Sequence, residues 1–287
     1  MVSLKKIFSV LPENFINFLF KSVNLNMSPK IKISSLFLLV LLFSAFAANA
    51  SIDFYQIKIY HLKTDAQEKT VDEFLQKAYL PALHRCDIAK VGVFKPIVSD
   101  QALDTEKLIY VFIPLKSFNG ILELDKKLAK DKQYAVDGKT YLDAVYTEAP
   151  FERLESIVLK AFEDAPHFML PNLKSPMKER VYELRSYEAP TEKYFQNKVQ
   201  MFNKGDEIGL FKRLNFNAVF YGEVIAGSRM PNLMYLTTFE NKTDRDAHWK
   251  AFSADEYWKK LSAMPEYQHN VSKNDTKFVY PTDYSDF

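Results

Sequence analysis

Glu183, Arg185 and Tyr187 occupy alternate positions of one short run, Val181-Tyr-Glu-Leu-Arg-Ser-Tyr187. Successive side chains of a strand point to opposite faces, so an acid, a base and a phenol share one face here while Tyr182, Leu184 and Ser186 share the other. Such a set can hold a small anion or a carbonyl group, because a guanidinium presents a planar fork of donors and a phenol can donate or accept. A second version stands at Phe54 to Tyr60, where Gln56, Lys58 and Tyr60 oppose Tyr55, Ile57 and Ile59. The plain alternative is a solvated face of an antiparallel sheet, with Arg185 in an ordinary cross-strand ion pair.

Four more residues join the candidate ligand-binding set: Tyr221 and Tyr235 on neighbouring strands, and His248 and Trp249 on a later helix. An imidazole can act as acid, base or axial ligand. No histidine or acid follows His248 at three or four residues to complete a metal pair, and a helix-surface or satisfied core histidine remains the alternative. Trp249 and Trp258 read first as packing, and His61, His84, His167 and His269 are scattered and take no role. Cys86 is the one cysteine, which excludes an intrachain disulfide and a multi-cysteine metal site; it reads as a small buried hydrophobe in a helix ending near Asp87. No serine nucleophile elbow, HExxH, EF-hand, P-loop or GxGxxG pattern occurs, and 7 glycines are few for phosphate loops. No metal or cofactor is expected. Nor is nucleic acid, since 38 basic and 36 acidic residues give a net charge of only +2.

The elements that must position these residues come in two sets. Tyr55 and Tyr182 are 127 residues apart, Val93-Phe94 answers Val219-Phe220 at an offset of 126, and Leu108-Ile109-Tyr110 answers Leu233-Met234-Tyr235 at 125. An offset this long is a whole domain rather than a solenoid repeat. In the first half, strands are expected at 54–61, 90–97, 107–115 and 155–162. One helix opens near Asp65 and meets Pro81, which should end or kink it, and another is capped by Ser117. In the second half, strands are expected at 179–187, 217–225, 232–239 and 277–280. A helix opens near Thr191 and breaks at Gly205 and Gly209; another is capped by Thr243 with Asp246 as its box partner and runs through Trp258 and Leu261 to Pro265. Each half therefore reads strand, helix, strand, strand, helix, strand, the split βαβ plan. The fold class is α+β, two tandem ferredoxin-like domains related by internal duplication, at 51–165 and 179–287 with a linker at 166–178. One such sheet covers a single face with helices. Two copies must pack their open faces together or join edge to edge as a barrel, which would turn Glu183, Arg185 and Tyr187 inward.

Residues 1–50 read as a processing segment. Lys30 and Lys32 precede an uncharged run from Leu36 to Ala48, and Ala48-Asn-Ala50 has the form of a cleavage site. The run is short for a permanent span, so no stable membrane span is expected after processing. Met27 is the expected start, ahead of which residues 1–26 would lie upstream, and the mature chain is expected to be periplasmic or extracellular.

Tyr182-Glu-Leu-Arg-Ser-Tyr187, Phe220-Tyr-Gly-Glu223, Met230-Pro-Asn-Leu-Met-Tyr235 and Arg245-Asp-Ala-His-Trp-Lys-Ala-Phe252 together resemble the NIPSNAP family, especially exported bacterial two-domain members. The resemblance covers residues 179–287; the first half shares only the tyrosine strand and the element order. It implies a dimeric α-β barrel, closed within one chain as an internal pseudo-dimer or between two chains as a homodimer, and it carries no catalytic set. The function expected is binding of a small hydrophobic or aromatic molecule between the two sheets. A cofactor-free monooxygenase or isomerase is the second expectation, and a structural interaction domain without ligand is the third.

Overall fold

The computed structural model describes residues 51–97 and 107–287. The expected processing segment and Met27 lie outside the described residues. Residues Ile52–Phe287 form one compact unit.

In chain order the first half contains β1 (Phe54–Leu62), α1 (Asp65–Phe74), a π-helical turn (Leu75–Tyr79), α2 (Leu80–Arg85), β2 (Gly92–Pro96), β3 (Lys107–Leu115), α3 (Phe118–Leu128), the short α4 (Lys132–Asp137) and α5 (Lys139–Leu142), and β4 (Arg153–Ala161). The second half contains β5 (Val181–Glu188), α6 (Glu192–Phe202), α7 (Glu207–Arg213), β6 (Phe220–Ala226), β7 (Asn232–Phe239), α8 (Lys242–Ala254), α9 (Glu256–Ala263) and β8 (Lys273–Pro281).

The eight strands close into a barrel in the order β1-β3-β2-β8-β5-β7-β6-β4. Within each half the neighbours run fourth, first, third, second, so the two halves have the same plan. Two antiparallel seams join them. Phe94 to Pro96 of β2 pair with Pro281 to Val279 of β8, and Leu159 to Ala161 of β4 pair with Val224 to Gly222 of β6, beyond a register shift at Val158/Leu159. Closure removes the edges that each half alone would expose. The barrel is thus completed within one chain by joining edges, the second of the two arrangements that the sequence allows.

Closure also decides which strand face is inside. An eight-stranded barrel has an interior just wide enough for its own side chains to fill. Tyr55, Ile57 and Ile59 of β1, Tyr110 and Phe112 of β3, Tyr182 and Leu184 of β5, and Met234 and Leu236 of β7 belong to that filling. The opposite faces carry the helices, with α1 to α3 over the first half and α6 to α9 over the second.

The barrel is closed at one end and open at the other. Phe112 stacks on Phe220 at 4.8 Å, Tyr55 lies 5.3 Å from Phe220, and Phe287 meets Phe94 at 5.8 Å. Phe168, from the segment between the halves, packs on Phe112 and Phe287. The chain's last residues are pinned over this end, with the Val91 amide donating to the Asp286 carboxylate and the Val93 amide to the Ser285 hydroxyl. At the other end, where β1 finishes and β4 starts, there is no aromatic layer among the described residues, and a cavity remains.

Several local expectations are corrected. Pro81 does not end the helical stretch: α1 gives way to the π turn at Leu75–Tyr79, and the proline stands in the first turn of α2. Gly209 lies inside α7 rather than breaking it. The cap of α8 is Asn241, whose side chain accepts from the Asp244 amide, and not Thr243. That helix does not run through to Leu261 either, since Asp255 takes an extended conformation and caps α9.

Candidate functional site: a buried ion network and an open barrel mouth

Glu183, Arg185 and Tyr187 do stand together, on the face of β5 opposite the one expected. They point outward, under α6 and α8, because the lumen takes the apolar face of each strand and the charged face must find polar partners in the helix layer. Glu183 is fully buried. Its carboxylate accepts from Arg185 Nε at 2.7 Å, from Arg245 Nε at 2.8 Å and Nη2 at 2.7 Å, and from Trp249 Nε1 at 2.7 Å. Burial alone would raise the Glu183 carboxyl's pKa, but Arg245 and Arg185 hold it below the ordinary carboxylate value. Arg185 lies 3.9 Å over the Trp249 ring and donates through Nη1 to the Tyr187 hydroxyl at 2.8 Å. The Tyr187 and Tyr235 hydroxyls are 2.8 Å apart, and Tyr221 stacks on Tyr235 at 5.7 Å. Burial pushes both the Tyr221 and Tyr235 phenols well above their usual range, so both stay protonated.

Of the candidate residues, the structure gathers Glu183, Arg185, Tyr187, Tyr221, Tyr235 and Trp249 into one network. His248 stands apart. Its Nδ1 lies 2.8 Å from the Asp244 carbonyl oxygen and its ring packs against Phe216 and Phe239 rather than on the Glu183 carboxylate. Two members were missed. Arg245 precedes Trp249 by four residues, which is one turn on the same helix face and was the available signal. Lys198 stands on the apolar face of α6, three residues after Phe195 and four before Phe202; its Nζ lies 5.8 Å from the Tyr187 ring centre, at the network's border, and forms a separate buried ion pair with Glu207 at 2.8 Å. A lysine at core spacing requires such a partner. The network is closed on itself: its carboxylate is fully used and its rings fill the layer. It holds β5 to α8 rather than presenting an empty site.

Space is found instead at the open end of the barrel, where a cavity of about 150 Å³ is bounded below by Ile59, Leu108, Tyr110, Ile157, Leu184 and Met234. Polar groups ring it. His61 Nε2 lies 2.8 Å from Glu155 Oε1, Arg153 Nη1 lies 2.6 Å from the same oxygen, and Arg229 pairs with Asp275 at 2.6 Å. Ser186 and Asn232 are joined by hydrogen bonds on the opposite wall. On β1, β4, β5 and β7 the inward series passes from apolar Ile59, Ile157, Leu184 and Met234 to polar His61, Glu155, Ser186 and Asn232 in the last layer, while β3 keeps Leu108 there opposite His61. The signal was present in Ile57-Lys-Ile-Tyr-His61, since His61 continues the inward series of Ile57 and Ile59. It could be read only once the apolar face was known to be the inner one.

Among the described residues no group of three His, Cys, Asp or Glu side chains could hold a metal ion, and no helix is long and apolar enough to cross a membrane.

Comparison with known proteins agrees with this architecture. The NIPSNAP family model matches residues 182–286, so the resemblance read from the sequence holds over the C-terminal half. A candidate monooxygenase from Lactobacillus acidophilus NCFM superposes with a TM-score of 0.51 at 11% identity, over 80% of this chain and 94% of that one. A second candidate monooxygenase, from Fusobacterium nucleatum, gives 0.50 at 7% identity over 80% and 93%. A NIPSNAP family protein from Agrobacterium tumefaciens covers 37% of this chain and 97% of its own, at 17% identity and a TM-score of 0.33. The first two likenesses are of fold. No curated protein matches.

Proposed function

From a chain whose C-terminal half is NIPSNAP-like and whose two halves close one barrel, we propose a binding protein for a small molecule with an apolar body and a polar head, seated in the open mouth. One observation carries this: an apolar floor beneath a polar ring, around about 150 Å³ of space, in a barrel whose other end is sealed by aromatic rings. A cavity of that size can take up a single benzene ring. Small-molecule sites combine mostly apolar walls with a few placed polar groups. The floor would take the ring or short chain and the rim would hold its head group. Export to the periplasm or beyond is part of the proposal, and it would bring the site to molecules outside the cytoplasm.

A second reading makes the same mouth catalytic. His61 and Glu155, 2.8 Å apart on the cavity rim, are an imidazole–carboxylate pair of the kind that takes and returns a proton, as an isomerase acting on the bound molecule needs. On this reading His61→Gln abolishes turnover and keeps binding.

One experiment addresses the proposal as a whole. Exported protein is purified, denatured, and both fractions are read by mass spectrometry. The expected result is a polypeptide beginning at Ser51 and a released molecule that is absent from a Ser228→Trp variant, whose indole would plug the rim. An empty protein that takes up no single-ring molecule supports the structural-interaction reading instead.

A further inference from the structure

The internal repeat places Lys58 where the second half has Arg185, and Gln56 where it has Glu183. In the second half the cation is neutralised by its neighbour at 2.7 Å. In the first half the carboxylate has been replaced by an amide, and Gln56 turns its amide nitrogen to the Ser156 hydroxyl at 2.8 Å. Lys58 is half-buried between β1 and the helix layer. Its Nζ has the Tyr79 hydroxyl at 3.1 Å, lies 4.9 Å from that ring's centre, and makes no ion pair among the described residues. The contrast with other lysines is direct. Every other buried or half-buried lysine among the described residues has a carboxylate within 4.0 Å: Lys95, Lys107, Lys160, Lys198 and Lys277.

We propose that Lys58 is a nucleophilic amine and that its site takes small carbonyl compounds, aldehydes first, as imines. A desolvated lysine without a counter-charge loses its proton more readily than one in water, and the neutral amine is the attacking species. Burial pushes the Lys58 amine below the ordinary lysine value, against a smaller upward pull from Asp125 on α3. The other groups named around it, Gln56, Ser156 and Tyr79, carry no charge near neutral pH; burial holds the Tyr79 phenol well above its usual range. In the reaction the amine nitrogen bonds to the carbonyl carbon and gives a carbinolamine. The C–O bond then breaks, and the oxygen leaves as water with the two protons that the nitrogen gives up. No oxidant or reductant is consumed. The Tyr79 hydroxyl is placed to accept from the ammonium before reaction and to donate to the departing oxygen afterwards. This inference is independent of the barrel mouth, because Lys58 lies on the outer face of β1 and the mouth uses the inner one.

The test uses the full mature chain, benzaldehyde as the probe and cyanoborohydride to fix any imine, with sites read by peptide mapping. At pH 7 Lys58 should be modified about tenfold faster than any exposed lysine, and this lead should shrink at pH 10, where ordinary lysines also lose their protons. Gln56→Glu, which recreates the arrangement of the second half, should slow Lys58 by about tenfold and leave other lysines unchanged. Should that variant fold poorly, the wild-type Lys58 side chain titrated by NMR serves the same end, with a midpoint below those of exposed lysines expected. Modification of Lys58 at the pace of exposed lysines, no modification at either pH, no effect of Gln56→Glu in a folded variant, or an ordinary NMR midpoint would each overturn the proposal.

Discussion

Glu183 accepts four charge-assisted or indole hydrogen bonds and is fully buried, so its removal is the most disruptive single change in the second half. Glu183→Ala would leave two guanidiniums facing each other in a largely dry layer. Breaking a buried ion pair by deleting one partner costs about 3 kcal/mol or more, and a urea titration should show a loss of that size. The same carboxylate sets a pH dependence. Its pKa in the folded chain is held below the ordinary value of about 4.3, so its contribution is complete above that pH and is lost as the pH falls through the folded value. Glu183→Gln should therefore flatten the acid limb of the stability profile. Arg185→Met should leave ligand retention unchanged, because Arg185 points to Trp249 and away from the mouth. At this scale the grouping of Glu183, Arg185 and Tyr187 was legible from alternation alone, and their direction was not. A period of two says which residues share a face but not whether that face meets the lumen or a helix. His61 was overlooked for the same reason, since its inward position has meaning only after the inner face is assigned.

Strand content and order were legible as elements, since each half repeats one hydrophobic pattern at nearly constant offset. Helix continuity was less so. Pro81 has the local signature of a stop, yet the chain crosses it by widening a single turn, an adjustment that tertiary packing of Leu75, Ala78 and Leu83 rewards and that propensity does not encode. Asn241 outcompeted Thr243 as a cap for a comparable reason: the end of β7 at Phe239 fixes where the helix can begin. The seams between halves could not be read from either half alone. They carry a prediction. A fragment of residues 179–287 keeps β5 to β8 but exposes β6, which pairs with β4 in the whole chain, and β8, which pairs with β2. Two copies can satisfy both edges by closing an eight-stranded barrel, so sedimentation or light scattering should report a homodimer or larger species. A stable monomeric fragment would contradict the view that closure is what holds each half together.

For the whole molecule, the duplication produces a barrel with unlike ends. One end is filled by rings from both halves and from Phe168 and Phe287; the other is left as an apolar floor under a polar ring. The aromatic wealth, 24 Phe and 16 Tyr, was legible from composition, but its uneven distribution along the barrel axis was not, because that depends on strand register and on where the C-terminal residues fold back. The two halves also differ in how they treat the same strand position, with a saturated ion network over β5 and a lone amine over β1. The claim that the mouth is the binding site is tested most directly by methyl NMR of the mature chain titrated with benzyl alcohol. The account predicts that Ile59, Leu108, Ile157, Leu184 and Met234 shift together along one saturating curve, and that Ser228→Trp abolishes the shifts. Shifts confined to methyls outside the mouth, or none at saturating probe, would contradict it.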